Sequence, residues 1–243
     1  MTFRLSGQHA SLVRKLAGLN TLSEDDIAAI EALPIRERHL KAGNVIVSES
    51  QIVTECCLLL AGFAYRHKVA RNGKRQIVSF HFPGDILDIQ HVLFDQADHN
   101  VQVMTDADVA FIPITAVREL IAERPGVATA LWRDCLVDAS IFREWMLNVG
   151  RRPADARIAH MLCEFVTRCE IADLGEATDI TLPMSQEHIA DATGLTAVHV
   201  NRVMRQLRET GLLKGAGRNV SVDDCQALRQ FADFRPEYLH LAA

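Results

Sequence analysis

The period of the apolar residues changes twice along this chain. Near the N-terminus, after a polar segment, "LSEDDIAAIEAL" sets Ser23 three residues before Asp26 and then places Ile27, Ile30 and Leu33 on one face. That spacing predicts a short amphipathic helix opened by a capping box, and Pro34 ends it. From about Arg38 to Pro113 the runs are short and rich in β-formers: "NVIVSES", "ECCLLLAGFAYRHKVA", "RQIVSFHF" and "VQVMTDADVAFIP". Asn72-Gly73, between two of them, is a two-residue hairpin signal, and Gly43, Gly62 and Pro83-Gly84 punctuate the others. Short strands at this spacing predict an antiparallel roll or barrel.

At Ile114 the pattern turns helical. "ITAVRELIAERP" predicts one short helix stopped by Pro125-Gly126, and residues 127–150 carry the longest uninterrupted helical pattern. Within it Ala128, Trp132, Cys135, Ala139, Phe142, Met146 and Val149 recur at alternating spacings of four and three. A seam of about three heptads reads either as a dimer contact or as a contact with the chain's own core. "PADARIAHMLCEFVTRC" predicts a further helix with Pro153 in its first turn, and the linker "IADLGEATDI" follows. No internal repeat or low-complexity tract interrupts this order.

The segment from Ser185 reads as two helices and a turn. Ser185 caps the first helix, Thr196 the second, and Gly194 sits at the turn, where a positive φ is cheap. Ala190 is small where crossing helices approach, and Ile189, Leu195, Val200 and Val203 are apolar where the pair must bury itself. Together these offsets make a helix-turn-helix. On the second helix, Val200, Val203, Met204 and Leu207 stand at i, i+3, i+4 and i+7, which predicts the buried face. Opposite them lie Val198, Arg202, Arg205 and Glu209, flanked by His199, Asn201 and Gln206. Arginine, asparagine and histidine on that half are side chains that reach base edges and phosphates. "GLLKGAGRNVSVDD" then reads as strand, glycine turn, strand: a wing with Lys214 and Arg218 placed for phosphate contact. The predicted DNA-binding set is therefore Ser185, Thr196, Val198, His199, Asn201, Arg202, Arg205, Lys214 and Arg218.

Charge sharpens this picture. The 243-residue chain carries 26 Lys and Arg against 31 Asp and Glu, a formal net charge of −5. Any nucleic-acid contact must therefore be a local patch. Between Ser185 and Val220, Arg202, Arg205, Arg208, Lys214 and Arg218 outnumber Glu187, Asp191 and Glu209, so the local balance is positive. An apolar fraction of 49% with 23% charged residues is ordinary globular composition for two domains. No apolar run reaches the roughly eighteen residues of a membrane span. The opening "MTFRLSGQHASLVRKLAG" has no secretory h-region, so a cytoplasmic protein without membrane contact is expected. Of the six cysteines none forms C-x-x-C, and no Cys/His cluster has zinc-ligand spacing, so buried reduced thiols are expected and no metal site. "GRNVS" and "LSGQHAS" are not nucleophile elbows, no phosphate-binding glycine loop follows a strand, and no carboxylate pair stands out. An enzyme is not expected, and no catalytic residue is assigned.

A β-roll, a long dimer-type helix and a C-terminal winged helix, in this order, resemble the Crp/Fnr family of bacterial transcription regulators. The resemblance covers nearly the whole chain. It is carried most by "MSQEHIADATGLTAVHVNRVMRQLRETGLL", and "FHFPGDIL" is similar to that family's glycine turn at the end of the roll. It implies an α+β fold: an antiparallel, cyclic-nucleotide-binding-like β-roll, a long dimerisation helix and a winged helix-turn-helix. The expected boundaries are 1–113 for the N-terminal helix and roll, 114–150 for the connecting and dimerisation helices, and 151–243 for the DNA-binding domain and tail. It also implies a homodimer that places helix 197–209 in each of two major-groove half-sites of a near-palindrome, with RNA polymerase as a further partner. By the motif, Arg202 stands at the family's arginine position and can take a guanine through O6 and N7. Val198 replaces the acidic or hydroxyl partner, so neither familiar operator transfers.

The regulatory ligand is where the chain departs from the family. Members that bind cyclic nucleotides hold the phosphate with an Arg-Ser pair and the ribose with a Glu after the glycine turn. Here no Lys or Arg lies between Arg75 and Arg118, and Asp85, Asp88, Asp95, Asp98, Asp106 and Asp108 fall within that stretch. An anion there meets desolvation and repulsion, so cyclic-nucleotide control is not expected. The oxygen-sensing branch holds an iron–sulfur cluster on four cysteines, several near the N-terminus, whereas the first cysteine here is Cys56. Haem stays open, since His67, His81 and His91 lie in or near the roll. Cys135, on the seam, is either a thiol switch or an inert packed cysteine. Two classes of function remain: a sequence-specific transcription regulator, or a haem- or redox-responsive signalling module whose winged helix docks protein instead of DNA.

Overall fold

The computed structural model describes residues 9–175, 180–215, 219–222 and 224–241. Helices α1 (Ala10–Leu19) and α2 (Glu24–Glu31) come first. Seven strands follow: β1 (Arg36–Leu40), β2 (Val45–Val47), β3 (Glu55–Ala61), β4 (Ala64–Val69), β5 (Arg75–His81), β6 (Asn100–Val103) and β7 (Ala107–Pro113). A 3-10 turn, Ile89–Val92, separates β5 from β6. The remainder is α3 (Ile114–Glu123), α4 (Pro125–Arg151), α5 (Ala154–Ile171), β8 (Ile180–Thr181), α6 (Gln186–Thr193), α7 (Ala197–Glu209), β9 (Asn219–Val220), α8 (Cys225–Phe231) and a second 3-10 turn at Pro236–Leu239. The roll consists of a three-stranded sheet, β1-β7-β3, and a four-stranded one, β2-β6-β4-β5. No helix among the described residues is long and apolar enough to cross a membrane.

The chain divides into two compact units. Among the described residues, one is built on 9–66 and His81–Ala139 with Leu241; the other on His67–Phe80 and Ser140–His240. The division departs from the boundaries read from the sequence at two points. It falls inside α4, not at its ends, and it gives the hairpin stretch 67–80 to the second unit. A continuous 27-residue helix has no linker to cut, so its two halves follow whatever each packs on.

In the first unit, Cys56, Cys57, Leu58 and Leu59 on β3 are fully buried. Both faces of the strand are covered, which is why it reads as a continuous apolar run and not as an alternation. Ser23 and Asp26 form the expected capping box, with Asp26 N–H donating to Ser23 Oγ at 3.1 Å. The segment before it, read as merely polar, holds α1. Leu12, Val13 and Leu16 bury its inner face, and with Leu19 they stand at helical spacing; Ser11, Arg14, Lys15 and Gly18 between them make the stretch look polar as a whole. Pro125-Gly126 stops α3 as expected and also begins α4, since proline is well placed in a first turn.

The glycine turn at Pro83-Gly84 is bound tightly to α1. Gly84 has φ of +98°, and a Cβ there would lie 2.9 Å from the Ser11 carbonyl oxygen. Beside it, Asp85 accepts from the Lys15 ammonium at 2.7 Å and from Phe82 N–H at 3.0 Å, with His81 Nδ1 3.3 Å away. Lys15 also reaches Asp134 on α4, at 2.8 Å. Burial would lower the lysine pKa, yet Asp134 and Asp85 hold it above its ordinary value.

In the second unit α5 is the centre. Phe80 packs edge-on against Trp145 and Phe165, and the Arg168 guanidinium donates to the Phe80 carbonyl at 3.0 Å. Glu164, fully buried in α5, accepts from Trp145 Nε1 at 3.0 Å and from the Tyr238 hydroxyl at 2.7 Å. Burial raises its pKa. His160 packs edge-on against Phe234 at 5.2 Å and stacks with Tyr238 at 6.0 Å. Burial, with Arg152 nearby, lowers its pKa to about 3, so the imidazole is neutral. Pro153 is the N-cap of α5, one position before the first turn expected for it.

Candidate nucleic-acid interface

The two helices of the motif are built by their caps. Ser185 Oγ accepts from His188 N–H at 3.2 Å, and Ser185 N–H donates back to His188 Nδ1 at 3.4 Å: a capping box with histidine in the acidic place. At the other end of α6, Gly194 is left-handed, with φ of +68°, and its N–H and that of Leu195 both donate to the Ala190 carbonyl. Thr196 Oγ1 then accepts from His199 N–H at 3.2 Å and starts α7. Two backbone acceptors at the end of α6 are held from outside: Arg157 donates to Thr193 O at 2.8 Å and Gln76 to Ala192 O at 3.1 Å. Val149 faces the turn, its Cγ1 3.6 Å from where a Gly194 side chain would begin.

The faces of α7 separate as the spacing predicted. Val200, Val203, Met204 and Leu207 are buried, each at 4% exposure or less. Val198 is 82% exposed, an unusual position for valine. Asn201, Arg202 and Arg205 share its open side. Arg202 donates from Nη2 to His199 Nε2 at 3.2 Å, and Asn201 donates from Nδ2 to Gln186 Oε1 at 3.3 Å. Arg205 Nε lies 3.7 Å from Glu209 Oε1, both well exposed. The N-terminal half of this face presents donors and one apolar contact; its one carboxylate, Glu209, stands at the C-terminal end beside Arg205.

The wing is partly described. Lys214 and Ser221 exchange two backbone hydrogen bonds, of 2.9 and 3.2 Å, and the Lys214 side chain is exposed. Arg218 lies outside the described residues. The returning strand β9 pairs with β8, where the sequence suggested only a linker. A two-residue strand carries no period to detect; its only signal was "ITLP" before the cap.

On α4 the residues of the predicted seam are uneven. Trp132 is 60% and Met146 77% exposed, while Ala128, Cys135, Ala139, Phe142 and Val149 are half-buried. Leu136 at 61% and Leu147 are also exposed, which the strict four-three spacing passed over. The helix's other face, Val127, Ala130, Leu131, Ile141 and Trp145, is buried against its own chain. Cys135 is half-buried and burial raises its pKa, which keeps it a thiol. Of the other five cysteines four are buried, and none of the six is in a disulfide.

His91, His99 and Asp88, after the glycine turn, are each held by hydrogen bonds within the roll. His91 Nδ1 faces the Phe94 carbonyl at 3.0 Å and His99 Nδ1 faces Asp98 Oδ1 at 2.6 Å, while Gln90 Nε2 lies 3.4 and 3.2 Å from their Nε2 atoms. Both rings thus carry Nδ1 protons, and one amide donates to both. Burial lowers the His99 pKa to about 4. Asp88 accepts from Cys57 N–H at 2.9 Å, and burial raises its pKa to about 7. The buried Arg66 donates to the Leu87 carbonyl at 2.7 Å and lies 3.9 Å from Asp138. Among the described residues no group of three or more His, Cys, Asp or Glu is placed to hold a metal ion.

Known proteins share this construction. Residues 156–231 match the model of the Crp-like helix-turn-helix domain and residues 37–124 that of the cyclic nucleotide-binding domain. The chain is 29% identical over 201 residues to the nitrogen fixation regulation protein FixK of Bradyrhizobium diazoefficiens, spanning 83% of each. It is 28% identical over 194 residues to a probable transcriptional activator of Rhizobium leguminosarum bv. viciae, spanning 79% of this chain and 80% of that one. The solved structure of FixK2 from Bradyrhizobium japonicum superposes with a TM-score of 0.75 at 26% identity, over 82% of this chain and 98% of that one. Roll, long helix and helix-turn-helix in this order, matched across both domains, make the chain a member of the Crp/Fnr family of transcription regulators, with a helix-turn-helix DNA-binding domain.

Proposed function

We propose that the protein is a homodimer that reads a near-palindromic operator by laying α7 in the major groove of each half-site. The observation that carries this is the partition of α7: four apolar side chains hold the helix down, and Val198, Asn201, Arg202 and Arg205 face away from the protein. Arg202 takes a guanine bidentately, and Val198 touches a thymine methyl. Ser185 and Thr196 lie at helix starts and Lys214 at the described edge of the wing, where phosphates pass; Arg218, outside the described residues, joins them by its place in the sequence. The exposed apolar face of α4, centred on Trp132, Leu136 and Met146, pairs with its copy. The roll does not take a cyclic nucleotide. Arg66, the buried cation beside the loop, is engaged by Leu87 and Asp138, and Asp85 and Asp88 are buried near it, so a phosphate would meet no spare positive charge.

Binding measured over a panel of operator variants tests the reading. Arg202→Ala is expected to cost about 1–3 kcal/mol and to relax preference at one guanine position. A uniform loss over all positions makes Arg202 a phosphate contact instead. Titration of the purified protein with cyclic AMP is expected to give no micromolar binding, and saturable binding there overturns the reading of the roll.

A further inference from the structure

The hairpin joining β4 and β5 carries charge that α7 does not account for. From Cys56 to Gly84 the sequence contains no carboxylate, yet Arg66, Lys68, Arg71, Lys74 and Arg75 lie within it. In a chain with 31 acidic and 26 basic residues, that stretch reverses the general balance. Arg71 and Lys74 flank the Asn72-Gly73 turn and are exposed. The tip is ordered by its own backbone: Gly73 N–H donates to Ala70 O and Ala70 N–H to Lys74 O, both at 2.9 Å. Asn72 Oδ1 accepts from Lys74 N–H at 3.1 Å.

This basic tip is fastened to the helix-turn-helix. His67–Phe80 belongs to the same compact unit as α6 and α7. Arg75 Nε lies 2.7 Å from Asp191 Oδ2, and Gln76 Nε2 donates to the Ala192 carbonyl at 3.1 Å. Both acceptors are in the last turn of α6, just before the Gly194 turn that leads into α7. The cations at the tip are therefore carried by the body that presents α7.

We propose that the β4–β5 tip is a second DNA contact, in which Arg71 and Lys74 engage backbone phosphates beside the groove that α7 enters. The inference rests on α7 reading the operator. The chemistry of the tip favours DNA over a protein partner. Residues 70–74 are Ala, Arg, Asn, Gly and Lys, with no aromatic or large apolar side chain to anchor a protein interface. Exposed point cations are what phosphate contact requires, and they carry no base preference.

The test compares wild type, R71Q/K74Q and a charge-matched control, R38Q/K41Q, in operator binding at several salt concentrations. With R71Q/K74Q the plot of log affinity against log salt should become shallower by about one to two per protomer, because fewer counterions are released. Base preference across operator variants should stay unchanged, and the control should keep the wild-type slope. Equal slopes for R71Q/K74Q and wild type overturn the proposal, as does equal flattening in the control. An unchanged slope with lost transcription in a reconstituted assay assigns the tip to a protein partner instead and also overturns it. A wild-type protein that fails to distinguish operator from scrambled duplex overturns the reading of α7 and the proposal with it. A wild type that does distinguish them leaves the slopes to decide on the tip alone.

Discussion

Two glycines show how far one residue's backbone can decide a local structure. Gly194 and Gly84 both occupy the positive-φ region, where a side chain costs about 1–2 kcal/mol. They differ in what a methyl group would meet. At Gly194 the nearest atom is Val149 Cγ1 at 3.6 Å, an ordinary contact, so Gly194→Ala should lose only the backbone term. At Gly84 the Ser11 carbonyl is 2.9 Å away, so Gly84→Ala adds a clash with α1 and should cost distinctly more. Urea denaturation of the two variants checks the order, and equal losses would contradict it. His160 supplies a pH test. Its pKa is about 3 when folded, against about 6.5 for a free imidazole, so between these values the unfolded chain binds more protons. The stability it contributes is fully present above about pH 6.5 and is lost as pH falls towards 3. The drop in urea midpoint from pH 7 to 4.5 should therefore be smaller in His160→Gln than in wild type.

At the scale of elements, caps and faces were legible in the sequence where they obey a period or a fixed offset. Ser185, Thr196 and Gly194 announced the motif, and the buried set of α7 followed from its i, i+3, i+4, i+7 spacing alone. Ser185→Ala removes one of two hydrogen bonds of the capping box and should cost about 1 kcal/mol in thermal or chemical denaturation. What escaped was short or mixed in character. β8 is two residues long, and the apolar stripe of α1, Leu12, Val13, Leu16 and Leu19, lies in a stretch whose intervening Arg14, Lys15 and Gly18 give it a polar look overall. A strict four-three spacing on α4 does not pass through Leu136 and Leu147, whose exposure makes the apolar face broader than that seam. Placing two charges on that face, in W132E/M146E, should convert dimer to monomer in sedimentation or light scattering, with the far-ultraviolet dichroism kept. A dimer that survives both substitutions would place the contact elsewhere.

For the molecule as a whole, the order of domains could be read from the change of apolar period, but the place where the compact units part could not. Contacts such as Tyr238 to Glu164, 74 positions apart, or Arg75 to Asp191, 116 apart, leave no trace in any local window. The same separation gives α7 a property that concerns descent more than binding. Its retaining side chains, Val200, Val203, Met204 and Leu207, share no position with the exposed ones proposed to read DNA. Positions 198, 201, 202 and 205 can thus vary while the core that seats the helix is untouched, and exposed substitutions of this kind usually change stability by about 0.5 kcal/mol or less. A library randomised at those four positions should yield mostly folded proteins with scattered operator preferences. One randomised at the four buried positions should yield few that fold at all. A gene duplicated from this one could acquire a new set of target promoters without first losing its structure.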